Sequence, residues 1–240
     1  MITHKELVQE LTQELVKDSN ILSLILYGSV SRNEESANSD IDLLLIVNEN
    51  HLQKRHIVRQ GITIEFVEMN IRYLKEFISK REIPMLFALA KGIVLFNKIA
   101  AIELLIAESK IIIENGPPQN PHWGNVSYRI KKRSDLTEIY KDLLDVDDVI
   151  QFNYIVSILI TSAIPMLIEI NNLWHQTRKK TIDYLKTNCC EGYNYIEILL
   201  APEYSLVEKR YAAEKLVNYV FCQYGGILEG EAVIFTKKEI

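Results

Sequence analysis

The chain has 240 residues, of which 48% are hydrophobic and 25% are charged, and its formal net charge is −5 at pH 7. This composition is typical of a globular protein and allows two modest domains. A negative net charge argues against a nucleic-acid substrate, because binding a phosphate backbone needs a basic surface. The three cysteines show no Cys-x-x-Cys spacing, so neither a disulfide framework nor a zinc site is indicated and we expect a cytoplasmic protein.

The first predicted element is an amphipathic helix close to the N-terminus. Leu7, Leu11 and Leu15 recur at helical spacing among charged residues, which differs from the apolar block of a signal peptide. Thr3 and Glu6 have the spacing of a capping box, so we expect the helix to begin there.

Two short apolar runs follow, Ile21 to Tyr27 and Ile41 to Val47, and both predict buried strands. Between them, Gly28 and Ser29 provide a backbone that can approach a ligand closely, a hydroxyl group, and the N–H donors of a helical turn. These groups suit phosphate oxygens, although a Gly-Ser pair after a strand is often only a turn.

The second apolar run opens on two carboxylates, Asp40 and Asp42. Because side chains alternate along a strand, both project from the same face, roughly 6.6 Å apart at about 3.3 Å per residue. Carboxylates at the start of an apolar strand are costly unless water, a metal ion or another cation neutralises them. We expect Mg²⁺, because it binds carboxylate oxygens together with substrate phosphates.

A Gly-Ser turn followed by Asp-x-Asp in a hydrophobic strand resembles the signature of the DNA polymerase beta nucleotidyltransferase superfamily. Here the signature consists of Gly28, Ser29, Asp40 and Asp42. The resemblance covers Leu26 to Val47.

The loop between the strands carries further residues that the resemblance implicates. The superfamily positions a triphosphate with its turn, here the Gly28 backbone and Ser29. Arg32 stands where many members have an arginine, and we place Arg32 and Ser39 among the nucleotide-binding candidates. Asn33 departs from the pattern, since many members have glycine there; this concerns the loop more than the chemistry.

The superfamily's third carboxylate lies on a later strand, and Glu65 is the candidate in this chain. The run from Ile62 to Met69 alternates with period two, which places Glu65 on one face of a strand and Glu68 on the other. The resemblance implies that Glu65 is a metal ligand or a general base, while the plain alternative is a solvent-facing glutamate on an edge strand. His51 and His56 lie in the polar connection between these strands, and we assign neither a catalytic role.

The remaining elements follow from periodicity and from helix breakers. We predict helices over Ile71 to Lys80, Ile83 to Lys91 and Ala100 to Glu114, with a short strand over Gly92 to Asn97. After a proline-rich linker, Asn115 to Pro121, the predicted helices are Val126 to Leu144, Asp148 to Leu173, Gln176 to Thr187, Tyr195 to Leu200 and Ser205 to Tyr224. The expected fold class is α/β (α+β): a small mixed-sheet nucleotidyltransferase domain, residues 1–115, followed by a C-terminal helical bundle, residues 122–240.

The segment Val149 to Ile168 is long and apolar enough to raise the question of a membrane span. Polar residues interrupt it, Pro165 would kink it, and acidic residues flank it, so we expect a buried helix and no membrane. Asn153, Ser157 and Thr161 form a polar stripe, which either packs against another helix or lines an acceptor cleft.

If the resemblance holds, the reaction is transfer of a nucleoside monophosphate from a nucleoside triphosphate to the hydroxyl of a small acceptor, with release of pyrophosphate. ATP is the first candidate donor. Two Mg²⁺ ions, held by Asp40, Asp42 and Glu65, would assist the displacement. The resemblance also allows a homodimer whose second subunit completes the cleft.

The order of a sheet domain and a helical domain also resembles the antibiotic nucleotidyltransferases that modify aminoglycosides or lincosamides. Acidic residues that would suit a polycationic acceptor are Asp142, Asp145, Asp147 and Asp148, although they equally fit an exposed helix junction. The densest basic cluster, Arg129, Lys131, Lys132 and Arg133, is typical of a solvated helix face. Two other functions stay open: nucleotidylylation of a protein partner, and a non-catalytic nucleotide-binding module.

Overall fold

The computed structural model describes residues 2–226 and 228. The chain divides into two compact units, Met1–Gly116 and Pro117–Ile240, so the division falls inside the proline-rich run. Unit 1 contains a mixed sheet with helices, and the described part of unit 2 is helical. The expected α+β fold class is therefore confirmed.

Within residues 2–116, unit 1 has five strands and four α-helices. They are α1 (His4–Leu15), β1 (Ile21–Tyr27), β2 (Ile41–Val47), β3 (Leu52–Arg59), β4 (Ile62–Asn70), α2 (Ile71–Ser79), α3 (Ile83–Lys91), β5 (Ile93–Asn97) and α4 (Ala101–Glu114). The strand order is β3-β4-β2-β1-β5, in which β2 and β4 are parallel and the other neighbours are antiparallel.

One face of the sheet packs against α1. Because side chains alternate along a strand, every second residue of β2 points towards this helix. Leu43 and Leu45 of β2 are buried in one cluster with Leu7 and Leu11 of α1. The helix begins at the predicted capping box, since the Thr3 hydroxyl accepts from the Glu6 backbone N–H and the Glu6 carboxylate accepts from the Thr3 backbone N–H. Asp42, one residue out of phase with this core, therefore lies on the opposite face of the sheet.

Strand β3 replaces the polar connection that the sequence predicts between residues 48 and 61, and that prediction is wrong. The strand pairs with β4 through a two-residue turn, in which Gln60 and Gly61 have φ values of 55° and 81°. Most of β3 is exposed, so it shows no alternation of apolar and polar residues. Because β3 forms the edge, Glu65 lies on an interior strand and the edge-strand alternative is also wrong.

Unit 2 contains five described α-helices: α5 (Val126–Leu144), α6 (Val149–Ile170), α7 (Thr181–Asn188), α8 (Cys190–Leu200) and α9 (Leu206–Tyr224). Its core is built around α6, whose buried residues include Phe152, Leu159 and Leu167. This helix alone, among the described residues, is long and apolar enough to cross a membrane, and 44% of its most apolar window is buried inside the protein.

Three sequence predictions about unit 2 are wrong in detail. Helix α7 begins at Thr181, five residues after the predicted start at Gln176. Helix α8 begins at Cys190, five residues before the predicted start, and it includes Gly192. A Cβ on Gly192 would lie 2.9 Å from Leu167 and from Cys189, so this glycine permits close helix packing and does not break the helix. The stripe of Asn153, Ser157 and Thr161 is exposed, so it does not pack against another helix.

Candidate active site

The turn after β1 places the backbone of Gly28 against the carboxylate of Asp42. Gly28 has a φ of 75°, and a Cβ added to it would lie 1.8 Å from Asp42 Oδ2. Only glycine fits this position, both for its backbone conformation and for the space it leaves. A short 3₁₀ turn, Val30–Arg32, follows Ser29, and the Ser31 hydroxyl donates to the Gly28 carbonyl at 3.0 Å.

The two predicted strand carboxylates Asp42 and Glu65 are neighbours across the sheet. In the parallel pairing of β2 and β4, Asp42 is in register with Glu65, and on the other side of β2 it is in register with Tyr27. Asp40 is exposed and lies just before β2. The structure thus places Gly28, Asp42 and Glu65 side by side on one face of the sheet.

The electrostatic state of Asp42 reflects this crowding of carboxylates. Burial raises the pKa of Asp42 to about 6, and the negative charges of Glu65 and Asp40 contribute to the rise. Lys54 and Arg32 act in the opposite direction but do not compensate. Asp42 therefore lies where a further cation would be favourable.

Glu65 is surrounded by side chains that the sequence analysis did not identify. The Tyr27 hydroxyl donates to Glu65 Oε1 at 3.2 Å, and Lys54 Nζ lies 2.8 Å from Glu65 Oε2. His56 Nε2 lies 3.7 Å from the same oxygen. Lys54 and His56 both come from β3, and the Gln60-Gly61 turn is the sequence signal that could have revealed them.

The burial of Tyr27 among these groups affects the protonation of its phenol. Desolvation raises the pKa of the Tyr27 phenol far above its ordinary range, and the charges of Asp42 and Glu65 add to the effect. Tyr27 therefore stays protonated and acts as a hydrogen-bond donor to Glu65.

The predicted nucleotide-binding residues have different surroundings. Ser29 makes no hydrogen bond that caps the 3₁₀ turn, whereas the Ser39 hydroxyl accepts from the Ser36 backbone N–H at 2.9 Å and closes the loop before β2. Arg32 Nε lies 2.8 Å from Glu34 Oε2. Asn33 adopts the left-handed conformation, with φ 57° and ψ 37°, which explains how asparagine serves at a position that favours glycine.

An apolar cavity opens beside Glu65 on the same face of the sheet and has a volume of about 320 Å³. Its polar rim consists of Tyr27, Lys54, Glu65 and Glu82. Its walls are formed by Leu52, Val67, Met69, Phe77, Pro84 and Met85.

Unit 2 has a separate cavity of about 660 Å³, next to a partly buried hydrogen-bond network around Glu169. The Glu169 carboxylate accepts from Asn120 Nδ2 at 2.6 Å, from the Tyr128 hydroxyl at 3.0 Å, and from the Tyr224 hydroxyl. The Trp123 ring packs edge-on against Tyr224, with 4.9 Å between centroids. The network fixes the segment after the linker to α5, α6 and α9.

The mixed sheet of unit 1 carries the Gly-Ser turn and carboxylates on the adjacent parallel strands β2 and β4. Residues 9–100 match the family model described as "Polymerase beta, Nucleotidyltransferase". This match lies within unit 1 and supports both the resemblance to the superfamily and nucleotidyl transfer as the general chemistry of this domain.

Several solved structures are similar to this chain, and one of them is similar over most of its length. That one is the crystal structure of a nucleotidyltransferase-like protein from Exiguobacterium sibiricum, with 12% sequence identity and a TM-score of 0.49. The similarity covers 91% of this chain and 76% of that protein. No curated protein sequence matches the chain.

Proposed function

We propose that the protein is an enzyme that transfers a nucleoside monophosphate from a nucleoside triphosphate to a hydroxyl of a small-molecule acceptor. The observation that carries this proposal is the register of Asp42 with Glu65, with Gly28 packed against Asp42. In the reaction, a bond forms between the acceptor oxygen and the α-phosphorus, and the bond from that phosphorus to pyrophosphate breaks. The acceptor proton is taken by a base, and pyrophosphate leaves with the remaining negative charge.

The residues of this chain suit a bound magnesium ion. The donor set is made of carboxylate oxygens, which Mg²⁺ prefers, and burial together with the charges of Glu65 and Asp40 raises the pKa of Asp42. Asp40 and Asp42 would hold the metal. Mg²⁺, when bound, stabilises the attacking and leaving oxygens of the displacement.

Glu65 differs from the other two carboxylates in its contacts. Among residues 2–226 and 228, no three His, Cys, Asp or Glu side chains are grouped closely enough to hold a metal ion. Glu65 is held by Tyr27 and Lys54. These contacts hold the carboxylate in place, and we propose that Glu65 orients the acceptor hydroxyl and accepts its proton, with metal ligation as the second role.

The other groups of the turn would bind the triphosphate. The Gly28 backbone can approach phosphate oxygens closely, and the Ser29 hydroxyl can donate to them. Arg32 would supply positive charge, whereas Ser39 would support the loop through its bond to Ser36. We propose ATP as the donor, a cytoplasmic location and a homodimer as working hypotheses, with an antibiotic among the acceptors to test.

Activity should be measured as pyrophosphate release from each nucleoside triphosphate with Mg²⁺ and an acceptor panel. Asp42→Asn should lower turnover at least about 100-fold, because it removes charge where the phosphates react. Glu65→Gln should lower turnover by a similar order, about 10²- to 10⁴-fold, because it removes the proton acceptor.

Glu68→Gln is the matched control, since Glu68 lies on β4 like Glu65 but projects from the opposite face, where it pairs with Arg55. Turnover that survives both Asp42→Asn and Glu65→Gln would contradict the proposal and favour a non-catalytic nucleotide-binding module. Labelled nucleotide that becomes attached to a protein, and to no small acceptor, would instead favour protein nucleotidylylation.

A further inference from the structure

The apolar cavity is a continuation of the carboxylate face along the same strands. On β4, Glu65, Val67 and Met69 alternate onto one face, and β3 places Lys54 opposite Val67 and Leu52 opposite Met69. The lining therefore changes from charged to apolar within two residues of Glu65.

The cavity is accessible from solvent at its mouth and buried at its base. Leu52 exposes 48% of its surface although it is a large hydrophobic residue, whereas Val67, Met69 and Met85 are buried. An open cleft with an apolar base and a few polar groups is typical of a small-molecule site.

We infer that this cavity binds the body of the acceptor and that the acceptor is a hydroxyl-bearing molecule with a mainly apolar body. The inference rests on the proposed function, because it assigns the acceptor of that reaction. Its first support is the strand order. The Gly28 turn lies on the β1 side of Asp42 and Glu65 lies on the β4 side, so the turn proposed to bind the donor phosphates and the Glu65 rim of the cavity flank Asp42.

The arrangement suits an in-line displacement, in which the entering and leaving oxygens are on opposite sides of phosphorus. The acceptor hydroxyl at Glu65 forms the new bond to the α-phosphorus and gives its proton to the carboxylate. Pyrophosphate departs on the side of the Gly28 turn.

Charge is the second support, and it opposes the polycationic acceptor that the acidic residues of unit 2 suggest. Two carboxylates, Glu65 and Glu82, line the cavity. Glu65 is already paired with a cation, because Lys54 Nζ lies 2.8 Å from Glu65 Oε2. A polycation would therefore meet only one carboxylate, Glu82, that Lys54 does not balance.

Size is the third support. A volume of about 320 Å³ is close to the lower end, about 300 Å³, of small-molecule pockets. The buried part of the acceptor is thus restricted to a short chain or one ring.

The test measures binding of n-alkyl β-glucosides, from methyl to hexyl, to the full-length protein by isothermal titration calorimetry. These probes share one hydroxylated head and differ in the length of an apolar tail. If the tail enters the cavity, affinity should rise about two- to fourfold for each added methylene. Spermine serves as the polycationic probe and should bind more weakly than the hexyl glucoside.

Leu52→Lys should weaken hexyl glucoside binding about tenfold, because it places a charge at the apolar mouth. Val58→Lys is the matched control, since Val58 is 72% exposed, lies on the same strand and does not line the cavity. Affinity independent of tail length, or equal weakening by both substitutions, would overturn the inference.

Pyrophosphate release, measured in parallel with each probe, reports on the proposed function separately. Tail-dependent binding without pyrophosphate release from any nucleotide would support the ligand class of the cavity and reject the transfer reaction. Release of pyrophosphate with affinity independent of tail length would support the reaction and reject the apolar acceptor.

Discussion

At the scale of single residues, the charge of Asp42 serves the proposed reaction but lowers the stability of the fold. The carboxylate is partly buried beside Glu65 and Asp40, and its pKa is raised to about 6 from an ordinary value of 3.8. The folded state therefore binds more protons than the unfolded state between about pH 4 and pH 6, and stability falls as pH rises through this window. Above the window, the ionised Asp42 is a cost to the fold.

Asp42→Asn should remove this cost while it removes activity. At pH 7 we expect the free energy of unfolding of the variant to exceed that of the wild type by about 1 to 2 kcal/mol, a difference that allows for the partial exposure of Asp42. At pH 4 the two proteins should be nearly equal in stability. Urea denaturation at both pH values measures the difference, with Glu108→Gln, an exposed carboxylate of α4, as the control. Equal stability of Asp42→Asn and wild type at pH 7 would contradict the expected pKa.

At the scale of elements, the β3–β4 hairpin decides what surrounds Glu65. Its turn needs positive φ at Gln60 and at Gly61, and a Cβ on Gly61 would meet no atom within 4 Å. Gly61→Ala should therefore destabilise unit 1 by about 1 kcal/mol through backbone strain alone, and it should loosen the strand that carries Lys54 and His56.

The measurement is chemical denaturation together with hydrogen exchange of the β3 amides. Gly124→Ala is the control, because a Cβ there also meets no atom within 4 Å and its φ is not positive. The expected result is faster exchange in β3 for Gly61→Ala and no change for Gly124→Ala. Unchanged exchange in both variants would show that the turn does not limit the hairpin.

The bounds of buried elements could be predicted from the sequence better than those of exposed elements. Strands β1 and β2 have the predicted bounds, because buried strands must be apolar over their whole length. Strand β3 was missed because an exposed edge strand carries no such constraint. Tyr27 was missed because its role depends on the register of the strands. Its side chain reaches Glu65 across Asp42, and no local sequence pattern indicates this contact. The start of α8 was predicted too late, because Gly192 lies inside the helix and is explained by its packing against Leu167 of a neighbouring helix.

At the scale of the whole molecule, unit 1 holds every group assigned to the chemistry and has its own hydrophobic core. A polypeptide of residues 1–116 should therefore fold cooperatively and bind nucleoside triphosphate with Mg²⁺. Circular dichroism with thermal unfolding measures the first property, and calorimetric titration with a non-hydrolysable nucleotide measures the second.

The control is the same fragment with the substitution Asp42→Asn. This variant should fold but bind nucleotide and Mg²⁺ at least about tenfold more weakly. A fragment that folds and does not bind nucleotide would place part of the nucleotide site in unit 2. A fragment that does not fold would show that the core of unit 1 is insufficient alone.

The edge position of β3 also affects how the protein behaves at high concentration. An exposed edge strand offers unpaired backbone groups to a second sheet, and charged side chains oppose such pairing. Here Lys54, Arg55 and Arg59 supply the charge, and each is held by a glutamate of unit 1. Lys54 thus protects the solubility of the sheet as well as facing Glu65. A neutral residue at that position would favour aggregation, so any loss of turnover in such a variant has to be separated from loss of soluble monomer.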